Sequence, residues 1–320
     1  MSITPKRKIL FSATILLVVI LFSICKGSTA IPFLALFTKE NQQILYLRLA
    51  RIILGIFVGA GLGVCGVVLQ AILRNPLAEP YLLGTSSGAG LGAVVAIMLG
   101  IGGAYLPFVA FAGALLSIIL VYNLAREGSK IPVQSLILSG VIVAMALSGI
   151  ILFLISISTN EALHGMMWWL LGSLQIFELK LIFVVATIVI LGITLVFVLS
   201  QDLNAISIGE EEAIHLGIET ETIKKLLFLI TSLITGALVS VSGMIGFVGL
   251  IVPHMMRLIV GPNHKVLVPA TCLAAAAFLV LCDTVSRSLL PPMEIPIGVI
   301  TSLIGAPIFI ILLKRRQGVK

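Results

Sequence analysis

The chain has 320 residues, of which 59% are hydrophobic and only 10% charged. Soluble domains carry about 25% charged residues, and a mean hydropathy of +1.23 leaves too little polar surface to keep this chain in water. The composition argues against a self-contained cytosolic enzyme, a disordered tail protein or a disulfide scaffold, and points to an all-α polytopic membrane protein read as one transmembrane domain over 1–320. The net charge of +7 comes from basic residues scattered among apolar runs. They form no basic face interleaved with aromatics, so they report topology, not nucleic acid.

A helix that crosses a bilayer needs about 20 apolar residues, so charge-free runs can be counted directly. Ile9–Cys25 is the first span and Ile52–Leu73 the second. Lys6, Arg7 and Lys8 precede the first, but no A-x-A site follows, and the segment is expected to stay uncleaved. Tyr81–Ala125 is too long for one crossing, and the turn at Gly100–Pro107 divides it into spans three and four. Ile131–Ser158 is the fifth and Leu181–Ser200 the sixth. The run Leu226–Met256 breaks at Gly243, Gly246 and Gly249, giving a seventh span to about Ser242 and a short eighth to about Val260. Val266–Leu289 and Ile295–Leu313 complete ten.

An even count places both termini on one side, and both are basic: Lys6, Arg7 and Lys8 at one end, Lys314, Arg315, Arg316 and Lys320 at the other. The positive-inside rule makes that side cytoplasmic. Of the 20 Lys and Arg, only Lys26, Lys39, Arg48, Arg51, Lys180 and Arg287 then fall outside.

Little coupling chemistry is visible. The sequence has no G-x-x-x-x-G-K-S/T, so no P-loop nucleotide site is expected. Cys25, Cys65, Cys272 and Cys282 lie in apolar stretches without CxxC spacing and read as buried, inert thiols; no metal site and no catalytic residue is expected. Gly84-Thr85-Ser86-Ser87-Gly88 matches G-x-S-x-G by letter, but it opens a membrane helix with no His or acid partner. Gly55, Gly59 and Gly63, and again Gly84, Gly88 and Gly92, recur every fourth residue, the spacing of close helix packing. Asp283 is the main intramembrane acid, and Arg287 four residues later is its expected partner. An ion-coupled transporter needs more midplane carboxylates. It stands as the alternative reading.

Two polar clusters are left over. The loop Gln201–Lys225 holds Glu210-Glu211-Glu212-Ala213 and His215, a short amphipathic helix ended by Gly217. It is either a solvated connector or a docking helix for a cytoplasmic partner. Arg48 and Arg51 at the mouth of span two, with Arg287 near the outer end of span nine, would form a positive patch for an acidic partner. Trp168 and Trp169 suit the membrane interface, and His164–Ser173 is a candidate outer helix guarding a pathway.

Several stretches together resemble the FecCD permeases of type II ABC importers. They are Arg48-Leu49-Ala50-Arg51, then Gln70–Pro80 with Asn75-Pro76 and Pro80, followed by Leu83-Gly84. Gly209–Ala213 with Leu216-Gly217 follows, and Gly246–Arg257 with Pro253, His254 and Arg257 is the most specific. Asn263-His264-Lys265 stands where Asp-His-Arg is more usual, and Glu294–Gly298 and Gly305–Phe309 complete the series.

The resemblance implies a dimer of ten-span subunits, with a second permease that is identical or a paralogue, resting on two cytoplasmic ATPase subunits. ATP and Mg would be held by those ATPases, and no cofactor by this chain. It implies ATPase docking through Gly209, Glu210, Glu211, Glu212, Ala213, His215, Leu216 and Gly217. It implies docking of an extracytoplasmic binding protein through Arg48, Arg51 and Arg287. A bulky metal chelate is the implied cargo, a ferric siderophore ranking ahead of haem or cobalamin, crossing a prokaryotic cytoplasmic membrane. Pro132, Val133 and Gln134, between spans four and five, are the candidate cytoplasmic gate. For Pro253, His254 and Arg257 a structural role, a rigid break opening a short helix, is preferred over catalysis.

Overall fold

The computed structural model describes residues 5–29, 31–32, 35–36, 38–128, 130–175 and 178–317. Thirteen α-helices account for the described fold: α1 (Pro5–Cys25), α2 (Gln42–Ile72), α3 (Thr85–Met98), α4 (Leu106–Ala125), α5 (Val133–Ser156), α6 (Asn160–Leu170), α7 (Leu179–Val198), α8 (Ser200–Ile208), α9 (Glu210–His215), α10 (Thr220–Ser242), α11 (Val248–Val260), α12 (His264–Ser288) and α13 (Ile297–Gln317). Among the described residues, seven helices are long and apolar enough to cross a membrane, and α3, α11 and α13 add three shorter apolar ones. These are the ten apolar segments counted in the sequence. The end carrying α8 and α9 is the one the charge bias assigns to the cytoplasm; it is called the inner end below.

The buried axis of the molecule is α2, with α12, α11, α10 and α7 around it. Lipid is as apolar as leucine, so helices in a membrane associate by close packing and not by the hydrophobic effect. Small residues in α2 supply that closeness. A Cβ on Gly59 would strike the backbone of Ala275 in α12, and one on Gly66 the backbone of Gly249 in α11. Gly88 and Gly92 bring α3 onto α4 in the same way, against Gly113 and Val109. The four-residue glycine spacing therefore packs the bundle from within. Peripheral α1 lies chiefly along α12 and leaves Leu10, Phe11, Leu17 and Leu21 exposed, as a lipid-facing helix does.

The glycine-rich run divides α10 from α11 where expected. Non-helical backbone at membrane depth must find its hydrogen bonds inside the protein. Here the Tyr81 hydroxyl donates to the Ile245 carbonyl and accepts from the Ile245 N–H, each at 2.9 Å. Ser173 N–H donates to Ser242 O at 2.8 Å, which ties the loop after α6 to the end of α10. Phe247 takes a left-handed φ of 70° to launch α11. Its N–H meets the Glu79 carboxylate; burial raises the pKa of Glu79, and that hydrogen bond offsets part of the rise.

Two expectations need correction. Span two begins at Gln42, not near Ile52, so Arg48 and Arg51 lie inside the helix and not at its mouth. The four cysteines are unpaired, but only Cys65 and Cys282 are fully buried; Cys25 and Cys272 are partly exposed.

Candidate functional site

At the inner end, α8 and α9 form a projecting platform. Three glutamates in the first turn of α9, Glu210, Glu211 and Glu212, complement the positive end of its dipole. Gly217 ends the unit with φ 80°, and the Ile218 N–H returns to the Ala213 carbonyl at 3.1 Å. Ala213 is fully buried in a small core with Ala205 and Ile206, while Ile208, Ile214 and Leu216 are exposed beside Glu211, Glu212 and His215. The Glu212 side chain folds over Gly209, filling the place a Cβ would occupy there.

The residue that fastens this platform is one that sequence reasoning passed over. Lys224 in α10 is only 6% exposed, and its Nζ lies 3.1 Å from Glu210 and 2.5 Å from Glu221. The readable signal was the i,i+3 pairing with Glu221. Glu221 also accepts the Ile131 N–H at 3.2 Å, which joins α10 to the turn before α5.

That turn holds the candidate gate. Pro132 caps α5, and Val133 packs inward beside Leu69, Ile72 and Phe228. Only Gln134 of the three is exposed.

At the outer end the three arginines do not form an exposed patch. Arg48, Arg51 and Arg287 are 4%, 8% and 3% exposed, and each is already engaged. Arg48 donates to the carbonyls of Ile24 and Thr29, both at 2.8 Å, and so closes the end of α1 onto α2. Arg51 pairs with Asp283 at 2.7 Å and Glu294 at 2.8 Å. Arg287 lies 3.2 Å from the other Asp283 oxygen, an ion contact without hydrogen-bond geometry, and donates to Ser23 O at 2.7 Å. The Asp283–Arg287 pair expected from sequence is present, with Arg51 as a third member that sequence could not place.

Glu294 is the partly exposed member of this network, and Gln175 donates to it at 2.7 Å. Burial alone would raise its carboxyl, but the Arg51 hydrogen bond and charge, with Gln175 and Arg287, hold it below the usual carboxylate value.

Beside this network a cavity of about 500 Å³ opens between α3, α4, α6 and the end of α10. Its walls include Trp168, Trp169, His164, Gln175 and Ser242. The His164 ring stacks on Trp168 with centroids 6.2 Å apart. So α6 is the expected outer helix, and its tryptophans line a cavity instead of serving only as interface aromatics.

The turns in the motif-bearing stretches have structural work. Asn75 Oδ1 accepts the Leu77 N–H at 2.9 Å, turning the chain toward Pro76. Pro80 is buried against Gly249, and Gly84 takes φ 72° ahead of α3. Pro253 is buried within α11; Arg257 donates to Gln70 Oε1 at 2.9 Å, and Gln70 Nε2 donates to Leu250 O at 3.0 Å. Arg257 thus clasps α11 to α2. His254 is partly buried and lines an inner cavity with Arg257.

Residues 15–315 match the sequence profile of the FecCD transport family. The chain belongs to that family. It is 42% identical over 288 residues to the cobalamin import system permease protein BtuC of Halobacterium salinarum, covering 87% of this chain and 75% of that one. It is 32% identical to the hemin transport system permease protein HmuU of Yersinia pestis, covering 98% and 97%. A solved inward-facing conformation of a metal-chelate type ABC transporter superposes with a TM-score of 0.88 at 32% identity, covering 97% of this chain and 99% of that one. This FecCD protein is a multi-helix membrane permease of the ABC transporter class, and α8–α9 and the Arg51–Asp283–Arg287 network are the two features at its opposite ends.

Proposed function

We propose that this FecCD permease forms half of the membrane pathway of a type II importer for a bulky metal chelate. A ferric siderophore ranks first, with haem or cobalamin as alternatives; relatives that import cobalamin and hemin support the class. The observation that carries the reading is the α8–α9 platform, an apolar and acidic knob held rigid by buried Lys224. Exposed Ile208, Ile214 and Leu216 need a partner surface. In this reading that surface belongs to two cytoplasmic ATPase subunits, which bind ATP and Mg. Their closing and opening moves α9, and through Lys224 the inner ends of α10 and α5, so that the dimer of permeases alternates between outward and inward access.

A binding protein would deliver the chelate to the outer end, over the surface that Glu294 and Gln175 present. Arg51 and Arg287 lie beneath that surface. An acidic side chain of the binding protein reaches Arg51 by taking over from Glu294. At the inner end, exposed Gln134 would face the second permease, with Val133 supporting it from within.

The test is ATP-driven uptake by the assembled importer in the cytoplasmic membrane. Glu211→Lys together with Glu212→Lys is expected to abolish uptake at an unchanged permease level. Uptake that survives loss of the ATPase and collapses with a protonophore would contradict the proposal in favour of ion coupling.

A further inference from the structure

The inner cavity beside α11 has a chemistry that the transport reading does not use. It holds about 380 Å³ and is lined by Arg74, Arg257, His254, His264, Gln70 and Ser207, among others. Its described lining contains two arginines, two histidines and no carboxylate. Among the described residues, neither Arg74 nor Arg257 forms an ion pair, whereas Arg51 and Arg287 at the outer end are matched by Asp283 and Glu294. Arg257 is half-buried, and its one described hydrogen bond goes to neutral Gln70. A partly desolvated guanidinium without an anion leaves an unmet demand for negative charge.

His264 sharpens that demand. It is 2% exposed, and its Nε2 has no hydrogen-bond partner. The other ring nitrogen, Nδ1, lies 2.7 Å from Asn204 Oδ1, which also accepts the His264 backbone N–H at 2.9 Å. Asn204 Nδ2 donates to Asn263 at 3.2 Å, which fixes the amide so that its oxygen faces His264. The Nδ1 atom therefore carries the proton, and Nε2 awaits a donor. His264 is also the first residue of α12, so the positive end of that helix dipole lies at the cavity wall. Arg74 reaches the cavity from a left-handed backbone with φ 45°, a conformation that glycine or asparagine usually takes.

We propose that this cavity is a binding site for a hydroxyl-bearing phosphate group. The phosphate oxygens accept from Arg257 and Arg74, and the hydroxyl donates to His264 Nε2. Two sources carry this chemistry at the inner face: the glycerol phosphate headgroup of an anionic lipid, and free phosphate. The site lies next to α8, through Ser207, so its occupancy braces the root of the α8–α9 platform.

The experiment uses the purified full-length permease, delipidated in neutral detergent. Its thermal midpoint and native mass are followed on adding inorganic phosphate, phosphatidylglycerol or phosphatidylcholine. The wild type is expected to gain stability saturably, with a bound adduct, from phosphate or phosphatidylglycerol and not from phosphatidylcholine. A response to phosphate alone assigns a free anion, and a response to phosphatidylglycerol alone assigns a lipid headgroup. Arg257→Gln and Arg74→Gln should each weaken the responding probe at least tenfold. Arg74 is exposed, so its variant keeps the fold even if loss of the Arg257–Gln70 clasp does not. The proposal is overturned if neither probe shifts the wild type, or if Arg74→Gln binds as tightly as wild type. Failure of both probes, with loss of a protein partner in Arg74→Glu, would assign the cavity to a partner's carboxylate instead.

Discussion

Arg51 in α2 and Asp283 in α12 are joined by two hydrogen bonds to one carboxylate oxygen, from Nη2 at 2.7 Å and Nε at 3.1 Å. The pair crosses one of the most intimate helix contacts of the molecule, and Arg287 shares the same carboxylate from the other side.

Asp283 therefore balances two buried guanidinium groups, and its removal is the most damaging change at this end. Asp283→Asn is expected to cost about 3–5 kcal/mol, the range for breaking a buried pair by deleting one partner. Thermal unfolding in detergent measures it. Replacing the triad together, with Arg51→Met, Asp283→Leu and Arg287→Met, should recover most of the loss. A triple variant no more stable than Asp283→Asn would mean that the network does not act through charge burial.

Glu294 makes the outer contact pH-dependent in a defined direction. Its carboxyl is held below the usual value, so its contribution is complete above the unfolded-state value of about 4.3. That contribution is lost only as pH falls through the lower, folded value. The stability difference between wild type and Glu294→Gln should stay flat from pH 7 to about 5. Below that it should shrink. A difference that fades already between pH 7 and 6 would contradict the pairing with Arg51.

Lys224→Met should free α9 from α10 without unfolding the bundle. Two charge-assisted hydrogen bonds are lost, each worth about 1.5–3 kcal/mol, although Glu210 and Glu221 regain water because both are partly exposed. Faster hydrogen exchange confined to 209–225 is the expected signature, with uptake reduced at least tenfold. Unchanged exchange in that segment would show that Lys224 does not fasten the platform.

Gly66→Ala tests the helix packing. The added methyl meets the backbone of Gly249, which cannot swing away as a side chain could. Overpacking costs about 1–3 kcal/mol. A methyl added at Gly102 would meet nothing within 4 Å, and that residue has no left-handed φ, so Gly102→Ala should leave the unfolding temperature unchanged. Equal effects at the two positions would remove the case for close approach of α2 and α11.

The spans were legible because a bilayer demands long apolar runs, and the breaks at Gly100–Pro107 and Gly243–Phe247 carry glycines and a proline that helices rarely accommodate. The start of α2 was not legible. Arg48 and Arg51 looked like the edge of the membrane, because nothing local shows that Ile24, Thr29, Asp283 and Glu294 will receive them. The fate of Arg51 depends on partners more than two hundred residues away in sequence, which periodicity does not encode. The short helix α9 was legible from its glutamates and Gly217. Its anchor, Lys224, looked like one more basic residue obeying the positive-inside rule. Glu79 was visible as part of a family stretch and Tyr81 as the start of an apolar run, yet their work, holding the 243–247 break, appears only once α10 and α11 are folded beside them.

The central claim is that this permease works on ATPase subunits docked at α8–α9. Intact-complex mass after mild-detergent purification from the native membrane tests it most directly. The account predicts two permease-sized subunits with two nucleotide-binding subunits, and loss of the latter on charge reversal at Glu211 and Glu212. A permease dimer that stays alone when stabilising lipid and nucleotide are supplied would contradict it.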